Sequence, residues 1–307
     1  MAADPTARVL TRRWHDGVVA DTPDELIVEE PLSILLDGVL VATTMRTPGN
    51  DEELATGWCF TEGLLGGAEV LECRHCRSVQ AGQPEAGQSE GAVRGSGAVV
   101  DHHNVVDPNT VVVDTGAMAP PAQPRLGMTS SSCGMCGTTA INDLAQRLEP
   151  LADPVAIDPA VLLAVVATVR ASQPLFDATG AVHAAAAFDP LGNVVVVRED
   201  IGRHNAVDKV VGHLLAATPA GTPGASAPGS GLGLYVSGRA SFEMVAKAWA
   251  AGFSALVAVS APSALAVQAA RTAGLVLAGF VRDDQMNLYA PAAATSPSAS
   301  DPGAQAP

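Results

Sequence analysis

Residues 30–44 carry two short apolar runs around Asp37-Gly38, the strongest hairpin signal in the chain. The spacing then turns helical over Asp51 to Leu65. Leu54, Trp58 and Leu64-Leu65 fall on one side, behind Asp51, Glu52 and Glu53 in the first turn. Val111 to Val113 reads as a further strand. In the second half Val161 to Arg170 is helical, and Asn193 to Val197 is a β-branched strand. Asn205 to Ala217 places Val207, Val210, Val211, Leu214 and Leu215 at helical intervals. Strand Leu232 to Val236, helix Ser241 to Ala251, strand Ala255 to Val259, helix Ala264 to Ala273 and strand Leu275 to Val281 follow. This is a βαβαβ unit, so its strands should be parallel and covered by helices, with ligands at their carboxyl ends.

Three stretches lack the apolar content to pack. Ala81 to Gly97 is rich in Gly, Gln and Ala, Ala216 to Gly231 in Ala, Pro and Gly, and Pro291 to Pro307 in small residues and proline. The expected organisation is a flexible tail over 1–22, a smaller β-rich α+β domain over 23–125, an α/β domain over 126–290 and a disordered tail over 291–307. No internal repeat is present.

Composition narrows the function classes. Among 307 residues, 32 Asp and Glu against 17 Lys and Arg give a formal net charge of −15, and 48% of residues are hydrophobic. The apolar content supports a sizeable core. The acidity excludes a broad grip on nucleic acid or anionic membrane, which needs clustered cations. Met1 to Arg13 has no signal-type apolar core. The uncharged run Ala248 to Ala270 is interrupted by Gly252, Pro262 and Gln268, and so reads as soluble strand, turn and helix. Five cysteines are too few for a disulfide scaffold, so the expected location is the cytoplasm.

Ser130-Ser131-Ser132-Cys133-Gly134-Met135-Cys136-Gly137 is the sharpest chemical signal, and a helix-like run from Thr138 to Leu148 follows it. Thiols at a helix N-terminus ionise more readily, and the glycines let a sulfur swing between donor and acceptor. A thiolate there could take up sulfane sulfur, form a disulfide or ligate a metal. Cys73-Arg74-His75-Cys76 could complete a zinc site, but the gap between the pairs far exceeds that of a zinc ribbon, and no metal is assigned. Cys59 reads as a buried hydrophobe. His183-Ala184-Ala185 with a C-x-x-C partly matches the zinc-deaminase signature. Ala185, however, stands where the catalytic glutamate is required, and the cysteines precede the histidine.

Polar clusters end successive strands. Arg198-Glu199-Asp200-Ile201-Gly202-Arg203-His204-Asn205 opens a helix, Ser237-Gly238-Arg239-Ala240-Ser241 repeats the arrangement, and Arg282-Asp283-Asp284-Gln285 ends the last apolar strand. Helix N-termini with forked guanidinium groups favour anions. Three such sites in a row point to one phosphorylated or nucleotide-like ligand. Scarce cations recur there: Arg203, Lys209, Arg239, Lys247 and Arg282. His183, between Val182 and a run of alanines, fits a core residue better than a site residue.

Taken together, Ser131 to Gly137, Glu199 to Lys209, Ser237-Gly238-Arg239 and Gly279-Phe280-Val281-Arg282 resemble the formate dehydrogenase accessory sulfurtransferase (FdhD) family, in the order expected of it. Glu53 to Gly57 and Phe60 to Gly63 look like its N-terminal signature. The likeness runs from about Glu29 to about Tyr289. It implies a cytidine-deaminase-like fold for residues 126–290 and a homodimer. It also implies a sulfur carrier loaded by a cysteine desulfurase, which passes sulfur to the bis-molybdopterin guanine dinucleotide cofactor for insertion into formate dehydrogenase. Cys133 corresponds to the persulfide-bearing cysteine and Cys136 to its partner or relay. Phe280, Val281, Arg282, Asp283, Asp284 and Gln285 match the stretch contacting the guanine nucleotide. Arg203, His204, Asn205, Ser237, Gly238 and Arg239 are the further expected cofactor contacts. The family usually has a basic residue where Gln285 stands, and Cys73 and Cys76 lie outside its pattern. Two rivals are a cofactor-binding chaperone without sulfur transfer and a dithiol–disulfide oxidoreductase.

Overall fold

A computed structural model describes residues 4–78, 105–121, 144–152, 154–218 and 227–290. Strands β1 (Thr6–His15) and β2 (Val18–Ile27) form a two-stranded antiparallel ribbon that pairs with no other described strand. The turn is Asp16-Gly17, both at positive φ (49° and 77°), as a two-residue hairpin needs. This corrects the expected flexible tail over 1–22. The ribbon escapes sequence patterning because neither face is buried, so its apolar residues need not alternate. Leu10, Trp14 and Val18 are exposed.

Strands β3 (Glu30–Leu36), β4 (Val39–Arg46), β5 (Glu72–Ser78) and β6 (Val105–Asp114) form a sheet of order β4-β3-β6-β5. The β3–β4 turn is the expected Asp37-Gly38 pair, at φ 48° and 83°. The Asp37 carboxylate accepts hydrogen bonds from Thr115 N and Oγ1 (2.7 and 2.6 Å), fastening the turn to the end of β6. Helix α1 (Asp51–Thr61) buries Leu54, Ala55, Trp58 and Cys59 against Leu32, Ile34, Val111 and Val113 of this sheet.

The larger layer holds β7 (His183–Phe188), β8 (Val194–Asp200), β9 (Gly233–Val236), β10 (Ala255–Ala258), β11 (Val276–Arg282) and β12 (Gln285–Ala290), in the order β12-β11-β10-β9-β7-β8. As expected, β9, β10 and β11 run parallel. Helices α4 (Arg203–Ala217), α5 (Phe242–Ala250) and α6 (Ala264–Ala273) cover one face, and α2 (Pro159–Arg170) the other. The short α3 (Pro174–Thr179) follows α2. Strand residues alternate between the two cores: Leu234 and Val236 face α4 and α5, whereas Tyr235 faces α2. Local signals set the ends. Asp158 caps α2 ahead of Pro159, and Ser263 caps α6, which closes on left-handed Gly274.

The two layers join through α1 and α4. A Cβ on Gly57 would strike the Asp208 carbonyl, and one on Gly212 the Glu53 carbonyl, so the helices meet backbone to backbone. At this seam the fully buried Asp208 pairs with Lys247 Nζ (2.9 Å) and accepts from Thr61 Oγ1 (2.8 Å). Among the described residues no helix is long and apolar enough to cross a membrane.

Candidate functional site

Strands β8, β9, β10 and β11 all end on one rim, where antiparallel β7 begins at His183. The rim is continuous. A Cβ on Gly238 would lie 3.5 Å from His183 Nδ1 and 3.9 Å from Arg203 Cδ. Ala240 pairs with Pro262 across the next loop, and Phe280 N donates to Ser260 O (3.2 Å). The three polar clusters expected from the sequence therefore adjoin.

The first cluster divides residue by residue. Asp200, fully buried, pairs with Lys209 Nζ (2.7 Å) and accepts from Thr47 N (3.1 Å) and Gly202 N (2.8 Å). Asn205 donates to Met45 O (2.8 Å) and Asp200 Oδ1 (3.0 Å), and Lys209 Nζ to Thr47 O (3.0 Å). These groups lock the β4–α1 loop to the β8–α4 corner. Asn205, expected as a cofactor contact, spends its amide on that lock. Arg198 grips Glu53 with its guanidinium fork, and His213 Nδ1 adds a 3.0 Å contact to the same carboxylate. Glu199 accepts from Leu175 N and Phe176 N (2.9 and 2.8 Å). Lys209 and Lys247 are thus buried ion-pair partners, unavailable to a ligand.

Arg203 and His204 remain. Buried Arg203 Nε has no hydrogen-bond partner among the described residues, and the buried His204 Nε2 and Ser241 Oγ have none there but the neighbouring Glu243 carboxylate. All three sit at the starts of α4 and α5, and Ser241 is the N-cap residue of α5 without capping it. His204 Nε2 stands 3.9 Å from Glu243 Oε2. The His204 imidazole and Ser241 hydroxyl beside it hold the Glu243 carboxyl down to about 2. Arg239 and Arg282 are exposed, with no carboxylate partner among the described residues. An unpaired guanidinium donor at the start of α4, with the exposed guanidinium groups of Arg239 and Arg282 on the same rim, suits an anionic, oxygen-rich ligand.

At the third cluster Phe280 is 40% exposed and held at φ 53°, a left-handed conformation unusual for a bulky residue. Val281 is the exception among the expected contacts, being buried in the α2-side core. Asp283, also left-handed (φ 44°), makes the β11–β12 turn with exposed Asp284 and Gln285. Burial, followed by the Arg203 and His204 charges, lowers the His183 pKa and keeps its ring neutral.

Cys133 and Cys136 lie outside the described residues. Cys73 packs against the α1 core with its Sγ 3.5 Å from Glu52 O, and burial pushes its thiol up to about 11. Burial also raises the Cys59 thiol. Neither is a ready thiolate. Among the described residues no three His, Cys, Asp or Glu side chains gather as a metal site.

The FdhD/NarQ family model matches residues 27–295. The chain belongs to that family. Among its relatives, the sulfur carrier protein FdhD of Streptomyces avermitilis is 42% identical over 289 residues, covering 93% of this chain and 94% of the relative. The protein of the same name from Anaeromyxobacter dehalogenans strain 2CP-C is 44% identical, covering 94% of both chains. A crystal structure of a putative formate dehydrogenase accessory protein from Desulfotalea psychrophila shares the fold. Its TM-score is 0.68 at 21% identity, over 94% of this chain and 98% of that one. In this chain the segment Glu199 to Lys209 combines a structural core, Asp200, Asn205 and Lys209, with Arg203 and His204 at the start of α4. Sequence reading missed that division because both kinds of residue are polar and only burial separates them.

Proposed function

We propose that this FdhD/NarQ protein is a sulfur carrier, or sulfurtransferase, in formate dehydrogenase maturation. The observation that carries the reading is the cluster of guanidinium groups on the rim: Arg203, whose buried Nε has no partner among the described residues, beside the exposed Arg239 and Arg282. The names of the relatives support the sulfur-carrying part. In this reading the Cys133 thiolate attacks the terminal sulfur of a cysteine desulfurase persulfide. The desulfurase S–S bond breaks, its thiolate leaves, and Cys133 becomes the persulfide. The acceptor is the bis-molybdopterin guanine dinucleotide cofactor, bound as substrate, and Cys136 serves as relay. Arg203, Arg239 and Arg282 would hold its phosphates, and exposed Phe280 would face a guanine ring.

The same reading takes the six-stranded layer as cytidine-deaminase-like, with buried Ala185 in place of a catalytic glutamate. It takes the working protein as a cytoplasmic homodimer that meets the desulfurase and formate dehydrogenase in turn. Loading with a cysteine desulfurase, followed by peptide mass spectrometry, should find one added sulfur on Cys133. Cys133→Ala should neither load nor restore formate dehydrogenase activity in a strain lacking the protein. Restoration by Cys133→Ala would favour the chaperone instead, and a reversible Cys133–Cys136 disulfide without persulfide the oxidoreductase.

A further inference from the structure

The ribbon β1–β2 takes no part in the rim or in the buried cores, yet its register gives it a distinct outer face. Side chains directly opposite one another in an antiparallel pair point the same way, and every second residue joins them. Trp14 with Val19, Arg12 with Asp21 and Leu10 with Pro23 therefore follow one another along one face. That face is open: Leu10 and Trp14 are 73% and 74% exposed, and Val19 and Pro23 are exposed beside them. On the other face Val9, Thr11 and Thr22 are half-buried, and α3 packs against β2. Large apolar side chains gathered on one outer face mark a surface that meets a partner.

A two-stranded ribbon also has two edges, each a row of main-chain donors and acceptors. They are not equal. Strand β2 carries Pro23, which has no N–H to give, and it is the strand that α3 touches. Strand β1 has no proline, and Arg12 to His15 are all exposed. Charge divides the same way. Strand β1 holds Arg8, Arg12, Arg13 and His15 with no acid, whereas β2 holds Asp21, Asp24 and Glu25 with no base. Three arginines within ten residues reverse the sign of a chain whose net charge is −15. Within the ribbon the opposite charges meet, with Arg12 Nε 3.0 Å from Asp21 Oδ1. Strand β2 thus displays the chemistry that β1 accepts on one edge: carboxylates and apolar side chains taking turns along a face. The other edge of β1 pairs with no described strand.

We propose that the open edge of β1 is a docking edge for an extended segment of a partner protein, in which carboxylates alternate with apolar side chains and which adds to the ribbon as a third strand. Main-chain hydrogen bonds supply the affinity, Arg8 and Arg12 select the charge, and Leu10 and Trp14 give the apolar contact. Face-on packing alone does not suffice. Two ten-residue strands offer a face of about 33 Å by 10 Å, under half of the roughly 800 Å² per partner of a stable interface. A second copy of β1 suits the edge poorly, since it brings three more arginines and no carboxylate to a strand that already carries them. The inference goes beyond the reading of the rim and does not depend on sulfur chemistry.

The probe is a fluorescein-labelled peptide that copies Val18–Ile27 with Pro23→Val, so that it keeps the acidic and apolar positions of β2 and donates throughout. Titrated into the full-length protein and followed by anisotropy, it should bind at least about tenfold more tightly than the same peptide with lysine at its three acidic positions. Arg8→Gln with Arg12→Gln should weaken binding roughly three- to tenfold, the scale of two exposed charge pairs. Trp14→Ser should weaken it as well. A benzophenone at the centre of the peptide should crosslink to residues 6–15. Crosslinks to Arg203, Arg239 or Arg282 instead would put the acidic peptide on the rim and overturn the proposal. So would equal binding of the lysine peptide, variants that bind as the parent does, or no binding at about 1 mM. Sedimentation of the protein alone tests the second copy. A dimer that Trp14→Ser, or Arg8→Gln with Arg12→Gln, dissociates would give the edge to another β1 and overturn the acidic partner.

Discussion

Phe280 holds a left-handed backbone that costs a non-glycine residue about 1–3 kcal/mol. The residue is 40% exposed. Phe280→Gly relieves the strain but loses the buried part of the ring and loosens the unfolded chain, so its resistance to urea should stay within about 1 kcal/mol of the parent, while guanosine 5′-diphosphate binding weakens. Phe280→Ala should weaken binding equally and be the less stable of the two variants, because alanine keeps the strain. Equal binding in all three would remove Phe280 from the ligand site. Glu243 offers a pH signature at the same scale. Its folded-state pKa, held at about 2 chiefly by His204, lies below its ordinary 4.5. The stability it contributes is thus present above pH 4.5 and lost as pH falls toward 2. Glu243→Gln should lower the melting temperature modestly at neutral pH, since the carboxylate is partly exposed, and flatten its fall below pH 4.5, so that the two proteins converge near pH 2. A parallel fall in both proteins would show that Glu243 contributes nothing there.

Among the elements, α1 and α4 bear the seam between the two sheets. Gly57→Ala would gain about 1 kcal/mol in helix propensity, but its Cβ would meet the Asp208 carbonyl, a backbone atom that cannot swing aside. Overpacking of this kind costs about 1–3 kcal/mol or more, so the variant should be destabilised in urea, and a stabilised one would refute the backbone contact. Lys247→Met should cost about 3–5 kcal/mol by stranding the buried Asp208 carboxylate, while Lys247→Met with Asp208→Leu should recover most of the loss. Elements with their own patterning are legible in the sequence. Strands β9 to β11 and helices α5 and α6 stand where apolar runs and serine or glycine punctuation put them, because each buries a face at its natural period. Strand β7 is not legible in the same way. Ala184 to Ala187 carry no strand propensity, and are extended because β8 and β9 pair on both sides and leave room for little more than a methyl group. The ribbon β1–β2 is hidden for the opposite reason. Asp16-Gly17 is as good a turn as Asp37-Gly38, but no core imposes alternation on its strands.

Across the whole molecule, the charge of −15 and the rim of free arginines act against each other on any anionic ligand. The rim is legible in outline, because cations are scarce enough for Arg203, Arg239 and Arg282 to stand out. Lys209 and Lys247 stand out equally and prove to be internal ion pairs, since a sequence does not report which way a side chain turns. The opposed fields lead to a salt prediction. Added salt screens the local attraction of the arginines, and it equally screens the repulsion from the acidic remainder, with a Debye length of about 10 Å at 0.1 M. The two changes have opposite sign, so affinity for guanosine 5′-diphosphate should shift by less than about threefold between 50 and 200 mM salt, whereas a nucleic-acid binder loses about 10³-fold or more. Arg239→Ala and Arg282→Ala should each weaken binding at every salt concentration, because they remove attraction and leave the repulsion whole. Titration of the three proteins along a salt series checks this. A steep loss in the parent protein would mean that the arginines alone set the field, and that the acidic body stands too far from the ligand to matter.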